Sequence, residues 1–467
     1  MTIKNLFTLF GQGVNWNALF YIVYKAASTV ITVLLFKYLT SQDFSTWANI
    51  NSIIFLTLLW LDFGFRKSIP RYCPEFAKNK DAQKRFVKTL ITFQILVLII
   101  ATPIMMYILK TSLEIFHLQN NFIFFYLGAL LFLLEGVVTL LRLIYHAHFW
   151  IKQFNIVTTI SLLAEVIANI CIIFLTPDSL SIIKYIFVTK IISSACINAI
   201  GICMLPRLYR DRNYPGDQEI NYSQTMHQFI KHSSIMWINN NLKSLSERNF
   251  LVPFFTYTLG ATYANLFKVA NDAALFFYRI VLKTIGTTDT ALLSHIETSN
   301  ETEKLMPIAF KKLLSKIAGL VFPVLGVLCV LLLKSDLIFQ RQFVFQTFFI
   351  MTIGYLIEMI VSPYERLLEI KRRYGLLFIA YMPYVLMIVV LLSFNFISFV
   401  GLVYSLIIIH GVRLVSSFIM VYLARINYAL IFPIKHIAIL ILIYTPLTLT
   451  LFLILTFYPT LITYVSI

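Results

Sequence analysis

Long apolar stretches alternate with short polar connections along almost the entire chain. Because about 20 apolar residues cross a bilayer as one helix, we predict a first series of spans near 14–38, 44–65, 86–109, 121–145, 153–175 and 180–205. A second series follows near 229–256, 260–286, 308–333, 342–366, 374–394 and 397–423, and a further apolar run lies near 435–458. The pattern predicts an all-α polytopic membrane protein with two six-helix lobes and a thirteenth C-terminal helix.

The spans divide the chain into four expected parts. An N-terminal six-helix lobe covers 1–205, and a polar connection at 206–228 separates it from a C-terminal six-helix lobe at 229–424. Residues 425–467 carry the extra apolar helix. Since each lobe has an even number of helices, both lobes should have the same orientation in the membrane.

The two series of spans resemble internal copies. Sliding the second series back by about 219 residues places Lys243 next to Lys25 and superposes aromatic positions at one helix joint, Phe255, Tyr257 and Tyr263 on Phe36, Tyr38 and Phe44. Copies with the same orientation are related by an axis along the membrane normal, and transporters built this way hold their substrate between the repeats. We therefore expect the functional site at the interface of the lobes.

Composition excludes a water-soluble protein. Hydrophobic residues make up 59% of the 467 residues and charged residues only 13%, against about 25% in soluble domains. The net charge of +17 does not indicate nucleic-acid binding, because the Lys and Arg residues are not clustered on one solvated domain. They lie mostly in the N-terminus and in every second connection, which predicts a cytoplasmic N-terminus.

Two predicted spans carry charges that a lipid-facing helix would not tolerate. Lys243, Glu247 and Arg248 interrupt the span at 229–256, and a second set interrupts the span at 260–286, namely Lys268, Asp272 and Arg279. Each costs roughly 2.5–3.5 kcal/mol in hydrocarbon unless it is paired or faces water. We expect these helices to line a polar cavity; the alternative is a ladder of charges that only joins helices.

Helical spacing groups these charges further. Asn265, Lys268, Asp272 and Arg279 recur at intervals of three, four and seven residues, which places them on one helix face. Lys243 and Glu247 are four residues apart and are expected to pair. Together with Lys25, an isolated cation deep in the first span, the bases outnumber the acids, so the expected substrate-binding residues are Lys25, Lys243, Arg248, Lys268 and Arg279.

Three acidic residues are candidates for ion coupling, namely Glu247, Asp272 and Glu358. Glu358 lies deep in the span at 342–366, and burial favours the protonated form of a carboxylate. Glu365 and Glu369, near the expected cytoplasmic end of that span, should be solvated partners of the nearby cations. No cofactor is expected beyond a coupled H⁺ or Na⁺.

Enzyme motifs are missing from the sequence. It contains no GxSxG, no HExxH, no P-loop and no zinc-ligand spacing, so we expect neither a catalytic residue nor a metal, and ATP coupling within the chain is not expected. The five cysteines form no disulfide pattern, and Cys73 alone falls in a predicted loop. We expect a protein that is not an enzyme and draws energy from an ion gradient or the membrane potential.

The segment from 36 to 81 carries the most recognisable local pattern. It contains Phe36-Lys-Tyr-Leu-Thr-Ser-Gln-Asp-Phe, Trp47, Leu61-Asp-Phe-Gly-Phe and Ile69-Pro-Arg-Tyr-Cys-Pro-Glu. This pattern resembles Wzx-type polysaccharide flippases of the multidrug/oligosaccharidyl-lipid/polysaccharide (MOP) exporter superfamily, in which an Asp-x-Gly-like turn precedes a basic cytoplasmic loop. The matching residues, assigned to gating, are Asp62, Gly64 and Arg66.

The resemblance implies a flippase that moves an undecaprenyl-pyrophosphate-linked oligosaccharide, an O-antigen or related surface glycan unit, across the bacterial cytoplasmic (inner) membrane by alternating access. Expected partners are the lipid-linked oligosaccharide, membrane lipids, and polysaccharide polymerase and chain-length machinery, with no nucleic acid. Three alternatives stay open. One is a drug or metabolite antiporter of the same superfamily, another is a membrane glycosyltransferase or polysaccharide polymerase, and the third is an accessory structural subunit.

Overall fold

The computed structural model describes residues 3–76, 79–116, 122–148, 150–208, 219–285, 341–393 and 396–428. It confirms the expected fold class, because the regular elements in these ranges are α-helices. The predicted spans near 308–333 and 435–458 fall outside the described residues. So do the side chains of Lys25 and Arg279, although both residues belong to described helices.

Seven helices form what we call the N lobe. Their bounds are α1 Ile3–Tyr38, α2 Ser41–Trp60, α3 Phe65–Phe76, α4 Lys80–Ile115, α5 Phe122–Ala147, α6 Ile151–Leu175 and α7 Ser179–Leu208. The described helices of the C lobe are α8 Tyr222–Ser244, α9 Arg248–Leu259, α10 Ala261–Ile285, α11 Arg341–Ile370, α12 Tyr374–Ser393 and α13 Phe396–Tyr428.

Polar residues set the beginnings of several helices. Thr40 accepts a hydrogen bond from the backbone of Asp43 before α2, Asn79 caps α4, and Asn221 caps α8 through the backbone nitrogen of Gln224. These side chains satisfy backbone donors that the first helical turn leaves without partners. The apolar pattern places each helix, and the caps define where it starts.

The structure corrects the sequence prediction at two places. The expected loop at 66–85 contains the amphipathic helix α3, and the expected continuous span at 229–256 is broken at residues 245–247 into α8 and α9. Both lie where polar residues are dense, so hydropathy alone could not locate the helix ends. In α13 the chain also kinks at Gly401, whose φ is +75°.

The described helices divide into apolar ones that could cross a membrane and charged ones that pack against other helices. Within the described residues, seven helices are long and apolar enough to cross a membrane, or eight if the bent pair α2–α3 is one span. The charged helices α8 to α11 are not among them. Instead α10 packs against α1, α2, α9 and α11, so Lys268 and Asp272 are shielded by protein rather than exposed to lipid.

Contacts between the lobes are reciprocal. Helix α1 packs along α10, while α2 packs against α9 and α8. If the broken pair α8–α9 is counted as one span, the first span of each lobe lies against the second span of the other, the arrangement that a two-fold axis would produce. Asn49 of α2 donates to the Thr256 hydroxyl of α9 at 3.0 Å, and Asn265 of α10 donates to the Ser41 carbonyl of α2 at 2.8 Å.

The turn between α2 and α3 brings the two lobes into close backbone contact. The helices bend by 46° there, and Gly64 adopts a φ of +77°. A Cβ atom at Gly64 would lie 2.2 Å from the Ser233 carbonyl oxygen of α8. Asp62 is buried and accepts from the backbone nitrogen of Arg66 at 3.3 Å. Glycine is needed here both for its backbone conformation and for its size.

Cys73 is a buried residue of α3 rather than a loop residue. Its Sγ lies 3.3 Å from Nε2 of His148, and Nδ1 of His148 lies 2.8 Å from the carbonyl oxygen of Ile144. His148 is in the connection between α5 and α6, outside the apolar spans. Burial lowers the pKa of His148 below its ordinary value of 6.5, because the charged imidazolium is poorly solvated there.

Candidate functional site

Asp272 is the centre of a buried ionic group between the lobes. Its carboxylate accepts hydrogen bonds from the Arg248 guanidinium, from the Lys268 ammonium at 3.2 Å and from the Thr32 hydroxyl at 3.3 Å. Thr32 belongs to α1, whereas the other three residues belong to α9 and α10. We call these four residues the Asp272 group, and it joins the N lobe to the C lobe.

Local structure explains how the group forms. Lys268 and Asp272 are four residues apart on α10, so they lie on one face, as the sequence predicted. Arg248 is the first residue of α9, directly after the break, which turns its side chain towards α10. Lys268 is only 3% exposed and Asp272 only 6%. Two cations therefore share one carboxylate in a poorly solvated place.

The Lys268 ammonium has a second contact. It lies 4.7 Å from the ring centre of Trp47 in α2, close enough for a cation–π interaction. The Arg248 guanidinium is similarly supported by the Asn249 side-chain oxygen at 3.3 Å. These contacts hold the two cations in position, but they bring no further negative charge.

A second ionic group runs along one face of α11. The Lys243 ammonium lies 2.7 Å from a carboxylate oxygen of Glu358 and 3.0 Å from one of Glu365. Arg413 of α13 lies 3.4 Å from the other oxygen of Glu358. Helical spacing of seven residues places Glu358 and Glu365 on the same face of α11. We refer to this set, with Glu369 and Lys67, as the α11 group.

Lys67 connects the α11 group to the N lobe. Its ammonium lies 3.2 Å from Glu365 and 2.5 Å from Glu369. One helical turn further along α3, Arg71 donates to the carbonyl oxygen of Glu369 at 3.2 Å. Next to these contacts, the Ser68 hydroxyl lies 2.7 Å from Nδ1 of His232 in α8. Helix α3 is therefore fastened to the C lobe by both charged and neutral groups.

These contacts correct two pairing predictions. Lys243 pairs with α11 rather than with Glu247, because the break after α8 removes the helical spacing on which that pairing depended. Glu247 precedes α9 and makes no ion pair with the described residues. Glu365 and Glu369 are 7% and 6% exposed, so they are buried partners of Lys67 and Lys243 and not solvated.

The structure brings together Lys243 and Glu358, and separately Arg248, Lys268 and Asp272. It places Asp62, Gly64 and Arg66 at the turn that contacts α8, where Arg66 lies 3.8 Å from Asp62. The excess of bases on the predicted spans at 229–256 and 260–286 is smaller than the sequence indicated, since α11 supplies acids to Lys243. The side chains of Lys25 and Arg279 lie outside the described part of the structure.

Sequence reasoning overlooked Lys190, a cation in the middle of α7. Its ammonium donates to the Asn51 side-chain oxygen at 3.2 Å and lies 4.6 Å from the ring centre of Phe55. The sequence did contain a sign of this residue, because Lys190 interrupts an apolar span just as Lys25 does.

The ion pairs of Lys67 with α11 had no comparable sign in the sequence, since Glu365 and Glu369 are 298 and 302 positions away from Lys67.

Comparison with known proteins places the fold. No protein-family model matches the chain, and no curated protein matches its sequence. Among solved structures, a MATE protein in complex with MaL6 shares 9% identity over 89% of this chain and 96% of that chain, with a TM-score of 0.60. An outward-facing multidrug resistance MATE family transporter of the MOP superfamily matches at 9% identity over 89% and 95%, with a TM-score of 0.59.

A third match is a MOP superfamily transporter from Pyrococcus furiosus, described as having a binding pocket of reverse polarity that suggests a different function. It shares 10% identity over 89% of this chain and 95% of that chain, with a TM-score of 0.51. The chain therefore has the all-helical fold of MATE transporters in the MOP superfamily. It is a multi-pass membrane protein, and its structural neighbours are transporters rather than enzymes.

Proposed function

We propose that the protein is a transporter that moves an undecaprenyl-pyrophosphate-linked oligosaccharide, such as an O-antigen unit, outwards across the bacterial cytoplasmic membrane. The observation that carries this proposal is the Asp272 group, in which Arg248 and Lys268 share one carboxylate at the interface of the lobes. The group holds one more positive charge than negative charge. An anionic headgroup entering this interface would be attracted to it.

The chemistry of the headgroup fits such a site. A pyrophosphate carries about two negative charges, and guanidinium and ammonium groups are the donors that bind phosphate oxygens most strongly. The membrane potential favours the same direction, because moving an anion out of a negatively charged cytoplasm gains about 2.3 kcal/mol per charge per 100 mV. We propose Lys25 and Arg279 as further cations of the site, because both interrupt predicted apolar spans.

Alternating access requires that the contacts between the lobes break in turn. Lys67 joins the lobes at one end through Glu365 and Glu369, and Asn265 joins them at the other through Ser41. On the predicted topology, α3 is cytoplasmic. The turn with Asp62, Gly64 and Arg66 would then form the inner gate, because it sets the angle at which α3 meets α8.

Ion coupling is proposed at the buried carboxylates. Asp272 binds two cations in the Asp272 group, and Glu358 binds two in the α11 group, so a proton or Na⁺ at either carboxylate would weaken its ion pairs. Glu247 stays a third candidate. We propose membrane lipids and the polysaccharide polymerase and chain-length machinery as partners. The proposed location is the bacterial cytoplasmic membrane, with the N-terminus on the cytoplasmic side.

The test is a flipping assay with undecaprenyl-pyrophosphate-linked sugar in liposomes containing the purified protein. Arg248→Ala and Lys268→Ala should each reduce the rate by tenfold or more, since a charge-assisted hydrogen bond contributes about 1.5–3 kcal/mol. Lys184→Ala is the matched control, because it removes a lysine from α7 outside both ionic groups. Undiminished flipping in both site variants would refute the site assignment.

A drug antiporter of the same superfamily is the second candidate. It is supported by the fold shared with MATE proteins, one of them described as a multidrug resistance transporter. A pump for lipophilic cations should expose acids to its substrate, whereas the acids of the Asp272 group and the α11 group are already bound to bases. Transport of lipophilic cations but not of lipid-linked sugar would favour this candidate. A purified protein that lengthens glycan chains would instead indicate a glycosyltransferase or polymerase.

A further inference from the structure

Lys190 is a cation that the proposed site does not yet use. It projects from α7 of the N lobe and is partly buried. Its ammonium contacts the side-chain oxygen of Asn51 and the aromatic ring of Phe55. It also interacts electrostatically with the Glu165 carboxylate of α6. The Glu165 interaction makes a purely structural role the alternative to be tested.

The two residues that contact Lys190 extend a row on α2 that begins at Trp47. Trp47, Asn51 and Phe55 are four residues apart, so they form one stripe along the helix. Lys268 of the C lobe lies over the Trp47 ring, and Lys190 of the N lobe lies over the Phe55 ring. The two ammonium groups also interact electrostatically. Cations from opposite lobes thus contact the same stripe of α2 at different positions.

The aromatic contacts of the two ammonium groups are weaker than those an anion would offer, and only Lys268 has an ion pair as well, with Asp272. A cation–π contact stabilises less than a charge-assisted hydrogen bond to a phosphate oxygen. Two like charges on one stripe also repel each other, and an anion between them would remove that repulsion. Both ammonium groups are on flexible four-carbon stems, so each can leave its aromatic ring without movement of the backbone.

We propose that Lys190 and Lys268 together bind the diphosphate of the substrate across α2, with Lys190 as the contact from the N lobe. When no anion is bound, the Lys268 ammonium contacts Trp47 and Asp272, and the Lys190 ammonium contacts Phe55 and Asn51. This inference rests on the proposed function, and it adds a residue from the other lobe. An anion held from both lobes would draw them together during transport.

Binding measurements on the purified protein in detergent test the inference. The probes are undecaprenyl pyrophosphate, inorganic pyrophosphate and uncharged undecaprenol, which separate the lipid from its headgroup. Lys190→Gln should weaken undecaprenyl pyrophosphate binding about tenfold and leave undecaprenol binding unchanged. Lys190→Arg should retain most of the affinity. Lys184→Gln, the same change elsewhere on α7, should bind like the wild type.

A second measurement does not depend on the folding of a variant. In the wild-type protein, an amine-reactive reagent should label Lys190 more slowly when undecaprenyl pyrophosphate is bound, and mass spectrometry can quantify this. Protection by inorganic pyrophosphate as well would identify the headgroup as sufficient. Protection by undecaprenol would overturn the inference.

The inference and the proposed function fail in different ways. If the wild type binds undecaprenyl pyrophosphate and Lys190→Gln binds it equally well, Lys190 is only a partner of Glu165 and the inference is wrong. If the wild type binds neither pyrophosphate probe, the proposed substrate itself is wrong, and the inference falls with it.

Discussion

Asp272→Asn should destabilise the protein far more than Lys268→Met, although both changes break the same ion pair. In the native protein, the Asp272 group contains two cations and one carboxylate. Lys268→Met leaves Arg248 paired with Asp272, so the buried charge falls to zero. Asp272→Asn leaves Arg248 and Lys268 together without a counter-ion, so the buried charge rises to two.

The magnitudes follow from this asymmetry. Removing one partner of a buried pair typically costs about 3–5 kcal/mol, because the remaining charge is left uncompensated. We expect a cost of that size for Asp272→Asn. For Lys268→Met we expect less than about 1.5 kcal/mol, since an apolar side chain of similar length replaces a desolvated ammonium that is only 3% exposed.

The assay is equilibrium unfolding in mixed detergent micelles. The matched control is the pair Lys110 and Glu114 on α4, which has the same four-residue spacing but is about half exposed. Lys110→Met and Glu114→Gln should each change the free energy of unfolding by no more than about 0.5 kcal/mol. Equal costs for Asp272→Asn and Lys268→Met, or a larger cost for Lys268→Met, would refute the reasoning.

Three further predictions concern α3 and the residues next to it. Gly64→Ala should lower the free energy of unfolding by about 1–3 kcal/mol, because an added Cβ would lie 2.2 Å from the Ser233 carbonyl oxygen. Thermal unfolding can compare this variant with Gly375→Ala, where the space around the added Cβ is open. Lys67→Met removes the inter-lobe partner of Glu369, so amide hydrogen exchange along α3 should become faster. The pKa of His148 is lower in the folded state than in the unfolded state, so the unfolded state binds more protons on acidification. The free energy of unfolding should therefore fall as the pH drops below about 6.5, and His148→Gln should flatten that pH dependence.

Each of these predictions has a clear contrary result. Equal melting temperatures for the two glycine variants would show that the backbone contact at Gly64 is not tight. Unchanged exchange in Lys67→Met would show that the ion pairs do not hold α3 in place. An identical loss of stability on acidification in wild type and His148→Gln would assign the pH dependence to other groups.

Much of the fold could be predicted from hydropathy. Apolar residues in runs of about 20 can only be buried in a bilayer as helices, and most described helices coincide with predicted spans. The failures lie where that rule does not apply. Helix α3 is short and amphipathic, and α8 and α9 are too polar for their break to be visible in the pattern.

The sequence by itself also determined one contact of the site. Lys268 and Asp272 are four residues apart on one helix, and helical geometry alone brings such residues together. The presence of unusual intramembrane charges was equally evident, because each is costly in lipid whatever its partner.

Only the tertiary structure decided which charges meet between helices. Lys243 turns to α11 instead of Glu247, and Lys67 reaches Glu365 across 298 residues of sequence. Local periodicity assigns a side chain to a helix face, but it contains no information on which helix lies opposite that face. The choice of partner is made by the packing of the two lobes, and the balance of charge in the site depends on that choice.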